Sequence, residues 1–114
     1  MSGNALLWHA QRVTGALLVV LLVAHFWVEH FATEPLLRGE LTYEAIEQRI
    51  RTPLWQAIDI AFLAVALFHG LNGLRNIVLD YSRIPPPLAR AVTGVLTAAG
   101  LLWMYWGVEA FRNL

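Results

Sequence analysis

The sequence predicts an all-α integral membrane protein with three transmembrane helices, and three observations carry that prediction. Of its 114 residues, 58% are hydrophobic and only 14% charged, whereas a soluble domain has about 45–50% apolar residues and about 25% charged ones. Three stretches carry no formal charge: Val13–Val28, Ile60–Leu74 and Ala91–Val108. The prolines fall between those stretches and not within them. Backbone polar groups find no water in hydrocarbon, so the helix is the one open-chain element that can cross. Helices are expected at about residues 6–31, 53–80 and 88–111, forming one transmembrane unit over residues 1–114.

The first helix follows from the run after Arg12. A span needs about 20 apolar residues, and Val13–Val28 reaches that length once His30 and Phe31 sit at headgroup depth. No small-residue cleavage pattern follows this run, and His25, Trp27 and Glu29 interrupt its far end, so it reads as a retained helix and not a signal peptide. The loop over residues 32–51 is acidic. Within it Thr42 can cap a short helix over Tyr43–Ile50 that places Tyr43, Ile46 and Ile50 on one face, a pattern suited to the membrane surface.

Thr52 followed by Pro53 marks the second helix: a capping residue, then Pro at the first helical position. Pro85, Pro86 and Pro87 lack backbone donors, so this helix must end before them and the third is expected to start near Leu88. Trp8, Trp27, Trp55, Trp103, Tyr105 and Trp106 gather near the helix ends, as an interfacial aromatic belt does. Orientation is not readable from charge. Arg12, Arg75, Arg83 and Arg90 on one side balance Arg38, Arg49, Arg51 and Arg112 on the other.

Composition also excludes function classes. Eight acidic and eight basic residues cancel, leaving no basic face for nucleic acid. With no cysteine, the chain can hold no disulfide and no thiolate-ligated iron–sulfur cluster. It has no P-loop, dinucleotide fingerprint, HExxH zinc motif or Ser/His/Asp arrangement, and no residue is assigned as catalytic.

The informative segment is Ala66-Leu-Phe-His-Gly-Leu-Asn-Gly-Leu-Arg-Asn-Ile-Val-Leu-Asp-Tyr81. His69, Gly73, Asn76 and Asp80 recur at spacings of four, three and four, and so share one helical face. Polar residues inside a span are costly and face the bundle or a cofactor. Gly70 and Gly73 remove bulk beside His69, and Ala66 with Gly70 forms a small-xxx-small pair that admits a second helix. A neutral imidazole beside cleared space suits haem iron. It suits equally a histidine hydrogen-bonded to a neighbouring helix, and on physical grounds the two readings stand level.

The string His69-Gly-Leu-Asn-Gly-Leu-Arg, with Asp80-Tyr81 and then Arg83, resembles the second membrane helix of the small cytochrome b anchor subunits of succinate dehydrogenase. The opening Trp8-His-Ala-Gln-Arg12-Val-Thr-Gly15 is similar to the start of the first helix in the same family. The resemblance covers most of the chain and implies that His69 is an axial ligand of haem b, with the opposite ligand on a second membrane anchor subunit. It implies further that Tyr81 hydrogen-bonds a quinone near an iron–sulfur subunit, and that Asp80 supports that site. Succinate chemistry, its flavin and its iron–sulfur clusters would reside in a flavoprotein subunit and the iron–sulfur subunit. The family's topology places the N-terminus and the second loop on the cytoplasmic side of a bacterial or archaeal cytoplasmic membrane. A fumarate reductase anchor is the variant with the direction reversed.

The remaining polar residues carry weaker readings. The string His25-Phe-Trp-Val-Glu-His30 resembles the first helix of some family members, making His25 a candidate ligand for a second haem and His30 a lesser one, with one haem as the default. Arg12, His9 and Arg75 are candidates for supporting a haem propionate or the quinone site; their plain alternative is snorkelling to headgroups. Two rivals of other classes are a haem-free structural anchor and a small proton or ion conductor using His25, His69 and Asp80.

Overall fold

The computed structural model of the chain describes residues 3–28, 39 and 42–114. Four helices follow one another: α1 (Gly3–Trp27), α2 (Tyr43–Arg51), α3 (Pro53–Tyr81) and α4 (Pro86–Arg112). α1, α3 and α4 are long and apolar enough to cross a membrane, as the charge-free runs predict. At 25, 29 and 27 residues, each spans about 38–44 Å, more than the hydrocarbon core of about 30 Å. The helices run alternately, so the start of α1 shares one membrane face with the α3–α4 turn.

α3 is the central element, with α1, α2 and α4 all packing against it. Among the described residues only Val28 and Asn72 are buried. In lipid that is the expected distribution, because hydrocarbon-facing leucines and valines need no protein cover. Trp8, Trp27, Trp103, Tyr105 and Trp106 are exposed, as belt residues are.

Two helix starts differ from expectation. α4 begins at Pro86 and not at Leu88. The first turn of a helix has no internal acceptor for its N–H groups, so Pro86 and Pro87 lose nothing there. Pro85 closes the turn instead, its carbonyl accepting from Leu88 N at 3.0 Å and Ala89 N at 3.1 Å. The expected end of α1 at residue 31, and His30 with it, lie outside the described residues. Thr52 does precede Pro53 at the start of α3, but its hydroxyl makes no cap bond there. It donates backward to Gln48 O at 3.1 Å, closing α2.

α2 is capped as expected, Thr42 Oγ1 accepting from Ala45 N at 3.2 Å. Its packed side differs, however. Ile46 and Ile50 are partly covered but Tyr43 is exposed, and the Arg49 side chain lies inside at 8% exposure. A charged group turns inward there because Asp59 of α3 awaits it.

Candidate functional site

The polar stripe of α3 faces α1. His69 meets the third and fourth turns of α1, where Gln11, Thr14 and Gly15 share a face. Thr14 Oγ1 and Gln11 O each lie 3.2 Å from His69 Nδ1. A carbonyl oxygen can only accept, so this geometry calls for the proton on Nδ1. Thr14 Oγ1 also lies 2.7 Å from Ala10 O; its single proton goes to that carbonyl, leaving the oxygen to accept from the imidazole. Nε2 is then the bare nitrogen, and among the described residues it has no hydrogen-bond partner.

Around the ring, glycine controls approach. A Cβ at Gly15 would stand 3.1 Å from His69 Cε1, so a larger residue there would force the imidazole to give by a few tenths of an ångström. Gly73, expected to clear space for a planar group, instead receives Gln11: a Cβ at Gly73 would lie 2.9 Å from Gln11 Nε2. Gly70 faces open space, so the small-xxx-small surface it forms with Ala66 is not used by a described helix of this chain.

Gln11 ties the seam together. Its Nε2 donates to His69 O at 3.2 Å, and its Oε1 accepts from Asn72 Nδ2 at 2.8 Å. Asn72, the buried polar residue of α3, is thereby satisfied. Sequence reasoning passed over Gln11, Thr14, Gly15 and Asn72. The available signal was a Gln-x-x-Thr-Gly pattern at helical spacing in an otherwise apolar helix.

Nearer the membrane face, Asp80 and Asn76 line a cavity of about 390 Å³ with Leu7, Trp8, Leu79 and Arg75. Tyr81 sits beyond it at 85% exposure. Arg12 lies 4.3 Å above the Trp8 ring, a cation–π contact, and His9 packs edge-on to the same indole at 4.9 Å. Trp8, His9, Arg12, Asp80 and Arg75 are thus brought to one end of the α1–α3 seam. Arg75 turns toward α4, its Nε donating to Thr93 Oγ1 at 2.8 Å.

His25 belongs to the opposite end. Its Nδ1 is 3.4 Å from Asp59 Oδ1, and Arg49 Nη1 is 3.3 Å from Asp59 Oδ2. The His25 ring stacks on Phe62 at 5.5 Å. This cluster holds α1, α2 and α3 together. Among the described residues no group of three His, Cys, Asp or Glu side chains is placed to hold a metal ion.

Three spans with a histidine held between two of them define a multi-pass membrane subunit. The family described as succinate dehydrogenase/fumarate reductase transmembrane subunit matches residues 3–103. A succinate dehydrogenase hydrophobic membrane anchor subunit of Archaeoglobus fulgidus is 35% identical over 90% of this chain and 84% of that protein. The succinate dehydrogenase 2 membrane subunit SdhC of Mycobacterium tuberculosis is 29% identical over 85% of the chain and 68% of its own length. A membrane anchor subunit of Thermoplasma acidophilum is 32% identical over 64% and 57%. The chain belongs to this family and is a membrane anchor subunit of a succinate dehydrogenase complex.

Proposed function

We propose that this anchor carries a b-type haem on His69 Nε2 and contributes Asp80 and Tyr81 to a quinone-reduction site. The observation that carries the reading is the hydrogen bonding of Nδ1 to Gln11 O and Thr14 Oγ1. A metal-bound histidine nearly always donates its other N–H to such a partner, which fixes the tautomer and raises ligand basicity. The open face at Gly70 leaves room beside His69 for a flat group, and a partner anchor subunit would supply the other protein ligand. When bound, the haem would supply one-electron chemistry.

The chain's own residues do the positioning. Gln11 and Thr14 orient the imidazole, and Gly15 lets α1 reach it. His9 and Arg12 offer cationic and hydrogen-bonding groups for a propionate at the membrane face. Asp80 and the exposed Tyr81 lie about 16–18 Å of helix beyond His69, at the end where an iron–sulfur subunit would dock. That face is assigned to the cytoplasm of a bacterial or archaeal cell. One haem is assigned, and running the complex as a fumarate reductase would need no different residue in this chain.

His69→Ala tests the reading. In the purified complex it is expected to abolish or strongly perturb a low-spin b-type spectrum while the anchor remains inserted and bound to its partners. An unchanged spectrum removes His69 as ligand. A complex with no b-type absorbance before substitution would instead make the anchor a haem-free dock, with His69 simply a hydrogen-bonded core residue.

A further inference from the structure

A second cavity, of about 430 Å³, lies between α3 and α4. Leu67, Leu71, Leu96, Leu101 and Met104 give it an almost wholly apolar lining, and Arg75 enters it beside Thr93. Ala64 to Arg75 on α3 and Thr93 to Met104 on α4 each span eleven helical steps, so the slot runs about 16 Å along the helices. Its rim residues Phe68, Thr97 and Leu101 are exposed. The slot therefore opens sideways, toward the surroundings of the bundle. Arg75 stands six residues before the end of α3, about 9 Å from it, where a guanidinium can snorkel to phosphate depth.

Arg75 is built to receive an anion. Thr93 Oγ1 accepts from its Nε at 2.8 Å and donates to Ala89 O at 3.0 Å, which fixes the plane of the guanidinium. Among the described residues its two terminal nitrogens bond to no protein group, and no carboxylate pairs with it. Arg75 also lines the adjoining cavity together with Asp80, but the two form no ion pair, and Asp80 does not reach the slot. A desolvated arginine without an anion is costly in a membrane, and its forked donors match phosphate oxygens. We propose that this slot binds one acyl chain of a membrane phospholipid whose phosphodiester pairs with Arg75. Cation at the headgroup end and hydrocarbon toward the bilayer centre is the polarity order of a phospholipid. The inference stands apart from the redox reading, since a haem-free anchor would hold the same lipid.

The test uses the intact complex in phosphatidylcholine nanodiscs doped with phosphatidylglycerol carrying a diazirine in its acyl chain. Mapped crosslinks should concentrate on residues 64–71 and 96–104, above the level on the lipid-facing side of α1. Excess phosphatidylglycerol should compete them away. Arg75→Gln should lower the labelling about fivefold, and Thr97→Trp, which fills the slot without touching the cation, should lower it too. The competition arm needs no variant and stands if either substitution fails to assemble. Labelling that survives Arg75→Gln in an assembled complex would overturn the proposal. So would displacement by a long-tailed quinone in place of phosphatidylglycerol, which would make the slot a quinone-tail site. Labelling no higher than on α1 would mean that another subunit covers the slot, and would overturn it equally.

Discussion

The two seams along α3 are built by opposite means. Toward α1, side chains of Gln11, Thr14, His69 and Asn72 are joined by hydrogen bonds of 2.8–3.2 Å. Toward α4, Gly100 and Gly107 receive Leu71 and Leu63, and a Cβ at Gly100 would stand only 2.8 Å from Leu71 Cδ1. Hydrocarbon provides no hydrophobic drive between helices, so close packing at small residues and interhelical hydrogen bonds are the two available sources of adhesion. The α4 seam relies mainly on the first, with side-chain hydrogen bonds only towards its two ends, at Arg75–Thr93 and Gln56–Phe111. The α1 seam uses the second, and its directional bonds fix the rotation of one imidazole. Division of labour in this subunit is thus between a packing seam and an orienting seam.

The largest effect should come from breaking the packing seam. Gly107→Leu places a branched side chain where Leu63 already lies, and overpacking of this kind costs about 1–3 kcal/mol. Thermal inactivation of the purified complex should shift downward, while the position of any haem absorbance should stay near that of the parent, because His69 is held from the other side. A spectral change as large as the stability change would show that the two seams are not independent.

Gln11→Ala attacks the orienting seam and should cost less in stability, about 1–2 kcal/mol, chiefly by leaving the buried Asn72 amide without its acceptor. Its signature should be spectroscopic as well, because Gln11 braces the backbone at His69. A double-mutant cycle with Asn72→Ala isolates the pair. Coupling near the membrane average of about 0.6 kcal/mol supports the bond; zero coupling removes it.

How much of this was legible beforehand follows from what each signal measures. The spans were readable because a bilayer demands a length of apolar chain, and that demand is local. The stripe through His69 and Asp80 was readable because helical periodicity places residues on a face, although Asn72 proved to share in it alongside Asn76. What faces the stripe was not readable, since periodicity within α3 says nothing about which turn of α1 lies opposite. Gln11 and Thr14 therefore stood only as members of the Trp8–Gly15 motif, with no partner assigned to either. The inward turn of Arg49 was unreadable for the same reason: it makes sense only with Asp59, on another helix, 3.3 Å away. The balanced arginine count could not choose a membrane side, and the alternation of helices shows only which ends lie together.

Thr14→Val is the finest probe of the difference between the seams. It removes one of two acceptors for His69 Nδ1–H and leaves Gln11 O in place, while the threonine's bond to Ala10 O is within its own helix. Stability should therefore change by only about 0.6 kcal/mol, less than for either substitution above. An acceptor on Nδ1–H gives the imidazole more anionic character, which favours the oxidised iron. If His69 holds a haem as proposed, weakening it should raise the midpoint potential, and about 0.6 kcal/mol in a one-electron couple corresponds to roughly 25 mV. Potentiometric titration of the purified complex reads this directly. A rise with stability nearly unchanged would tie the α1 hydrogen bonds to the iron. A potential that falls, or does not move, would mean that Thr14 only packs against the ring.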